Sequence, residues 1–462
     1  MDKVISTPEQ AIADIPDGAT IAIAGFGVGH RYANSLLLAL RDKGTRNLCV
    51  VCNSLGGAGA LRGQILAENK QVKRLMAAFS IRVGMTTASQ LQIAAGEMEL
   101  ELIPQGILVE RCRAGGAGIP AFYSPTGVDT DLAKGKDVRY FDGKPYMLEH
   151  AIHLDYALLR AHRADRSGNL QFRGGSQNFN PSFAKAARVA IVEVDEIVEV
   201  GELPPDLVDL PGIFVSRVVK ATHQEDWRKM HARHKEAGKP RLYNGKPALT
   251  RAGIGKRAAR LIKDGSYVNL GTGMPTEVSN FLQNRDVMLH AENGVLGYGE
   301  MVSGDAIDPD VYNAGSQFVS LVPGASFFDS VTSFEMARSG RIDTVILGAY
   351  EVDEQANLAN WSVSDEKMAA IGGAMDLVAG RRELIIMMTH CDSKNRPKLK
   401  RKCSYPLTGK ACVSWVVTDL ALLRWDGDGF VLEEVAPGFT ADEVMALTEM
   451  KVTISPSVGI ME

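Results

Sequence analysis

Along the chain, short apolar runs alternate with stretches in which apolar residues recur every three or four positions. The runs Asn47–Cys52, Met98–Ile103, Val189–Val194, Val287–His290, Thr344–Leu347, Leu384–Met388 and Val413–Val417 are strand candidates. They are apolar throughout rather than alternating, the pattern of strands covered on both faces. The helical period predicts helices at Tyr32–Leu40 and Ala441–Thr448, the second opened by the capping box Thr440-x-x-Glu443. Alternating strands and helices predict an α/β fold of mainly parallel sheets with helices on both sides. In such folds ligands sit beyond the carboxyl ends of strands.

The pattern occurs twice. Thr7 and Pro8 open a helix with Ala11, Ile12 and Ile15 on one face. The turn Asp17-Gly18, the strand Thr20–Ala24 and the loop Gly25-Phe26-Gly27 follow. Thr250 opens the second copy, with Ile254, Ala258, Leu261 and Ile262, then Asp264-Gly265, Tyr267–Leu270 and Gly271-Thr272-Gly273. A second correspondence needs no gap: Asp155/Asp343, Leu159/Leu347, Ala161/Ala349, Asp165/Asp353, Asn169/Asn357 and Leu170/Leu358 are identical at one constant offset. Between the copies, residues 223–247 carry seven Lys/Arg, three Asp/Glu and three His with few large apolar residues, which predicts an exposed connector. The expected organisation is two homologous α/β domains, residues 1–222 and 248–462, joined by the charged linker 223–247.

Composition narrows the class. The 462 residues are 45% hydrophobic and 23% charged, which excludes a disordered, collagenous or coiled-coil chain. The net charge of −4 argues against a nucleic-acid or membrane-surface binder. No apolar stretch is long enough for a membrane span and the first residues lack a signal peptide's pattern, so a cytoplasmic protein is expected. Of the six cysteines, Cys49 and Cys52 form a C-x-x-C in a strand-like run, where residues three apart face opposite ways. Buried free thiols are therefore expected. His150-x-x-His153 lacks a metal-site context, and no metal is expected. Glycine is in excess, 46 residues, many of them clustered.

Phosphate-loop, dinucleotide and nucleophilic-elbow signatures are absent; Gly25-Phe26-Gly27-Val28-Gly29 lacks the third glycine spacing. Three elements remain. Glu292 follows the strand Val287–His290 and precedes the flexible Asn293-Gly294, which fits either an acid at a turn or a carboxylate held as nucleophile or base. Gly372 and Gly373 open a helix with Ala374, where backbone N–H groups can face a phosphate or an oxyanion. Arg113–Tyr123 combines small residues with an aromatic, suiting backbone packed against a flat or thioester-bearing ligand.

These residues carry a resemblance. The chain resembles the class I CoA-transferases, in particular the succinyl-CoA:3-ketoacid type with both half-domains fused, over nearly its whole length. Glu292-Asn293-Gly294 with Leu296-Gly297 is similar to the family's active-site glutamate motif. Gly372 through Val378 is similar to its second glycine loop. Gly271–Pro275, Gly324–Phe328, Leu358–Trp361, Arg113–Gly127 and Asn178–Pro181 fit as well.

The resemblance implies transfer of CoA between small carboxylic acids, from a donor such as succinyl-CoA to a 3-oxo acid, as in ketone-body metabolism. Glu292 would form a covalent glutamyl-CoA thioester, with ping-pong kinetics. It assigns catalytic roles to Glu292, Asn53 and Gly373. Gln105 and Gly27 would meet the acid, with Arg31, in a stretch that departs from the family, expected beside them, and Gly372, Gly373, Ala374, Gly324 and Ala325 would hold CoA. No cofactor is expected, since the CoA thioester is itself a substrate, and a homodimer or tetramer is expected. The sequence departs from the family at Val28–Tyr32 and at Cys52–Leu55, both in the first half. His30, Arg31 and Tyr32 could form a different carboxylate pocket there. An acyl-CoA hydrolase on the same fold and a non-catalytic ligand sensor are the alternatives.

Overall fold

The computed structural model describes residues 2–27, 30–57, 61–80, 86–223, 239–363 and 369–462. The connector residues 224–238, and Val28 and Gly29 of the first glycine loop, lie outside them.

The first half forms a parallel sheet in the order Arg217–Lys220, Ala187–Val198, Leu154–Asp165, Thr20–Ile23, Leu48–Cys52, Val72–Ala77 and Glu99–Leu102. The short strand Leu170–Gln171 adds one antiparallel pair. Alternating residues face different cores. Ile21, Ile23, Val50 and Cys52 enter one cluster, while Ala22, Ala24 and Val51 enter another. Cys52 and Cys49 accordingly pack on opposite faces, and both thiols are free.

The second half forms a ten-stranded sheet ordered Val319–Phe327, Val295–Met301, Val287–Ala291, Ser266–Leu270, Thr344–Gly348, Glu383–Met387, Trp415–Val417, Ala421–Trp425, Phe430–Val435 and Val452–Ile460. Its five central strands, Val287–Ala291 to Trp415–Val417, are parallel. Antiparallel pairs extend it on both sides, so this sheet is mixed. One apolar cluster runs from Ala22, Val51 and Leu159 of the first sheet to Val345, Leu347 and Ile386 of the second. The two sheets thus share a core.

Atomic detail repeats with the sequence. Asp155 accepts from the Thr20 N–H at 2.9 Å, and Asp343 accepts from the Tyr267 N–H at 3.0 Å. Asp165 ties the turn below it by accepting from the Asn169 N–H and Nδ2 at 3.0 and 2.8 Å. Asp353 does the same with Asn357, at 3.1 and 3.0 Å. Thr20 pairs across the sheet with Cys49, and Tyr267 with Met288.

Three expectations change. The described end of the connector is docked: Tyr243 is buried and donates to Asp419 at 3.1 Å, and Arg241 caps the carbonyl of Cys391 at 2.6 Å. The segment Arg113–Tyr123 is not a ligand-facing loop at its start. Helix Gln105–Gly116 runs through it, and its glycines serve packing. A Cβ on Gly115 would lie 2.1 Å from the Ile152 carbonyl oxygen, and one on Gly116 2.7 Å from Lys185. Helix Ala441–Met445 is shorter than its apolar period suggested, although its Thr440–Glu443 capping box forms.

Candidate active site

The parallel strands of the second sheet end around one cavity of about 330 Å³. Ser266–Leu270 delivers Gly271 and Thr272, Val287–Ala291 delivers Glu292, Thr344–Gly348 delivers Ala349 and Tyr350, and Glu383–Met387 delivers Met388 and Thr389. After Ser266–Leu270 the chain places its next strand on one side and Thr344–Gly348 on the other. Such a switch in strand order leaves a crevice at the carboxyl ends.

Glu292 sits in a three-residue turn between the paired residues Ala291 and Val295. Gly294 closes the turn with its N–H on the Ala291 carbonyl at 3.0 Å. Its φ is +113°, and a Cβ there would lie 2.1 Å from the Phe328 carbonyl oxygen, so glycine is required. Asn293 donates to the Tyr312 carbonyl at 2.8 Å. Upstream, His290 is buried and held neutral by burial, its Nδ1 accepting from Asn269 at 2.9 Å and its Nε2 facing Ser333 Oγ at 3.0 Å. A hydrogen-bonded strand end therefore carries Glu292.

The carboxyl itself is less well served. Glu292 Oε2 is buried without a hydrogen-bond partner. Burial pushes its pKa up to about 7, its backbone hydrogen bond opposing only in part. A carboxyl free on one oxygen and facing a cavity is available to react, and near neutral pH it is only partly ionised.

The opposite wall is the second glycine loop. Gly373 is the N-cap of helix Ala374–Ala379, with no side-chain cap. Gly372, Gly373 and Ala374 all line the cavity. Gly372 has φ +53°, donates to the Ala78 carbonyl at 3.1 Å and accepts from the Gln105 N–H at 2.8 Å. The loop is thus fastened to the first half.

Asn53 and Gln105 lie behind that loop and do not line the cavity. Both are buried, with Gln105 Nε2 donating to Asn53 Oδ1 at 3.0 Å. Gln105 Oε1 has no partner and stands 3.1 Å from where a Gly373 Cβ would be. Asp376, three residues on from Gly373 in the first turn of the helix, accepts from the Gly106 N–H at 2.9 Å and from Thr126 Oγ1 at 3.1 Å. Residues of both halves therefore set the geometry around Gly373.

Arg31 is not a substrate-facing cation. Its guanidinium pairs with Asp195 at 2.6 Å and, through Nε, with Asp310 at 2.6 Å. These two carboxylates saturate it and join the halves. His30 stacks on Tyr312 with ring centroids 3.7 Å apart, and Tyr32 donates to the Ser54 carbonyl at 3.0 Å, so the suggested alternative carboxylate pocket does not form. Gly27 also faces the other half, since a Cβ there would lie 2.4 Å from Ser316 Oγ. Gly324 and Ala325 fall on the outermost strand Val319–Phe327, away from the cavity lining.

Sequence reasoning passed over Lys398, which among the described residues is the one basic residue lining the cavity. Its Nζ donates to the Ala349 carbonyl at 2.8 Å. Burial lowers its pKa to about 8, with Asp419 and Asp392 opposing. Among the described residues no group of three potential metal ligands occurs, and no helix is long and apolar enough to cross a membrane.

The chain that builds this twofold α/β structure, with a buried, unpartnered carboxyl and a glycine loop at the strand ends, matches the coenzyme A transferase family model over residues 5–221 and 252–447. The chain belongs to that family and is a CoA-transferase, an enzyme class acting on acyl-CoA and carboxylic acids. It is 39% identical to mouse mitochondrial succinyl-CoA:3-ketoacid coenzyme A transferase 2A, covering 98% of this chain and 90% of that protein. The human mitochondrial enzyme of the same name, numbered 2, is also 39% identical, covering 100% and 92%. The acyl-CoA transferase YdiF of E. coli O157:H7, solved as a thioester complex with CoA, superposes with a TM-score of 0.81 over 100% of this chain and 95% of that one. At 20% identity this likeness shows the fold. The expectation of a cytoplasmic protein is corrected here, because the mammalian relatives are mitochondrial proteins.

Proposed function

We propose that this CoA-transferase moves CoA from succinyl-CoA to a 3-oxo acid through a thioester on Glu292. The buried, unpartnered Glu292 carboxyl at the strand-end cavity carries the reading. The 39% identity to enzymes named for succinyl-CoA and a 3-ketoacid supports the substrates.

The chemistry follows from the carboxyl. Ionised Glu292 attacks the acyl carbon of the donor thioester, the C–S bond breaks, and CoA leaves as thiolate. The thiolate attacks the Glu292 carbonyl carbon of the mixed anhydride, releasing the donor acid as carboxylate and leaving glutamyl-CoA. The acceptor carboxylate attacks that thioester and expels CoA thiolate. The thiolate then takes the new acyl group and frees Glu292. Each tetrahedral step develops an oxyanion. The backbone N–H groups at Gly373 and Ala374 on the cavity wall suit that task, with Asn53 and Gln105 fixing the loop from behind. The scheme calls for no metal or redox cofactor. A homo-oligomer belongs to the same reading, supported by exposed Val138, Tyr140 and Phe141 on one short strand; sedimentation measures it.

The test is trapping. The enzyme is incubated with succinyl-CoA alone, treated with borohydride and mapped by mass. Inactivation with reduction at Glu292 is expected. CoA release that needs no acceptor acid, with no adduct, would instead establish a hydrolase.

A further inference from the structure

Among the described residues the cavity is lined by one acidic side chain, Glu292, and one basic side chain, Lys398. Lys398 enters the short strand Leu399–Lys400, which pairs with Glu351–Asp353 just past the end of Thr344–Gly348. This places its ammonium beside Ala349, whose carbonyl takes one of its three donors at 2.8 Å. Among the described residues no carboxylate stands at ion-pair distance from it. The two acids near enough to influence it are engaged elsewhere. Asp419 accepts from the His390 N–H at 2.7 Å and from Tyr243 at 3.1 Å. Asp392 accepts from Arg396 Nε at 2.6 Å and from the Lys394 N–H at 2.8 Å. A half-buried cation without a counter-ion is costly, and an anion entering the cavity removes that cost.

We propose that Lys398 is the anion-binding residue of this cavity, taking a carboxylate or phosphate oxygen of the ligand whose other end reacts at Glu292. The proposal rests on the reaction assigned to Glu292. Lys398 then acts on binding more than on the covalent steps. The shared chemistry has two sources, the phosphates of CoA and the second carboxylate of a dicarboxylic acyl group, and substrate analogues separate them.

Full-length Lys398→Met and Lys398→Arg are compared with the parent on four thioesters: succinyl-CoA, acetoacetyl-CoA and the corresponding pantetheine thioesters, which lack phosphate. Lys398→Met is expected to lower kcat/KM about tenfold or more on the anion-bearing substrate, mainly through KM, and Lys398→Arg to restore most of it. A loss on both CoA thioesters that vanishes on both pantetheine thioesters identifies phosphate. A loss on both succinyl thioesters that spares both acetoacetyl thioesters identifies the remote carboxylate. An equal loss on all four, acetoacetyl-pantetheine included, would overturn the proposal, as would values within about twofold of the parent throughout. Borohydride trapping at saturating succinyl-CoA keeps the two readings apart. An adduct at Glu292 in Lys398→Met at the parent's level is expected, whereas a parent without adduct refutes the Glu292 chemistry itself.

Discussion

At the scale of single residues, Glu292 combines position with an unusual proton affinity. Its pKa of about 7 lies above that of a glutamate in the unfolded chain, so its contribution to stability is present below about 4.5 and is lost as pH rises through about 7. Glu292→Gln removes the buried charge. It is expected to stabilise the protein by about 3 kcal/mol at pH 8 and by almost nothing at pH 4, read by urea unfolding at both, while abolishing adduct formation. In the parent, kcat/KM for the acyl-CoA is expected to fall about tenfold per pH unit below 7, since the proposed reaction uses only the ionised carboxyl. The position of Glu292 was legible from an apolar strand running into Asn-Gly. Its raised pKa was not, because burial is made by the rest of the fold. Arg31 shows the opposite outcome: a basic residue in a departing loop read as a ligand contact, yet Asp195 and Asp310, distant in sequence, claim it. Lys398 sits in an unmarked Pro-Lys-Leu stretch, and only the strand pairing brings it to the cavity.

At the scale of elements, two short pieces hold the site. The Glu292 turn depends on Gly294, whose φ of +113° and closeness to Phe328 leave no room for a side chain. Gly294→Ala is expected to cost roughly 1–3 kcal/mol from the backbone conformation alone and to lower kcat about tenfold or more; thermal unfolding and initial rates check it. The second piece is the helix start at Gly373, fixed through Asp376 to Gly106 and Thr126. Asp376 also accepts from Arg338 Nη1 at 3.4 Å, so Asp376→Ala leaves both the Gly106 N–H and Arg338 without their shared acceptor. It is expected to cost about 2–4 kcal/mol and to reduce kcat more than KM, with Asp376→Asn retaining part of both. The wholly apolar strands were legible because strands buried on both faces exclude polar residues. The antiparallel outer strands of the second sheet were not, since hairpins there arise from pairing the sequence does not specify locally.

For the whole molecule, the halves meet along the shared core, the Gln105–Gly372 backbone bond and the Arg31 and Arg173 pairs with Asp310. Burial pushes the Asp310 carboxyl up, but hydrogen bonds and charge from the two arginines prevail and hold it below the ordinary value. That contribution is present above about 3.8 and is lost as pH falls through the lower native value. Pieces 1–222 and 239–462, the second kept with its docked Tyr243 segment, are expected to be inactive alone and to recover activity on mixing; full activity in either alone would refute a site shared between halves. The repeat itself was legible in six identities, and the matched hydrogen bonds of Asp155 with Asp343 and of Asp165 with Asp353 give it a physical basis.

The matched strand registers reach further. Thr20 faces Cys49 as Tyr267 faces Met288. Four residues beyond each partner, the same slot of the pseudo-symmetric pair holds Asn53 in one half and Glu292 in the other. One copy of the slot carries an amide, hydrogen-bonded to Gln105 and unable to take up or give up a proton. The other carries the acid that faces the cavity. A duplicated scaffold has thus divided its labour at a single position, with a neutral support on one side and a buried, unpartnered carboxyl on the other.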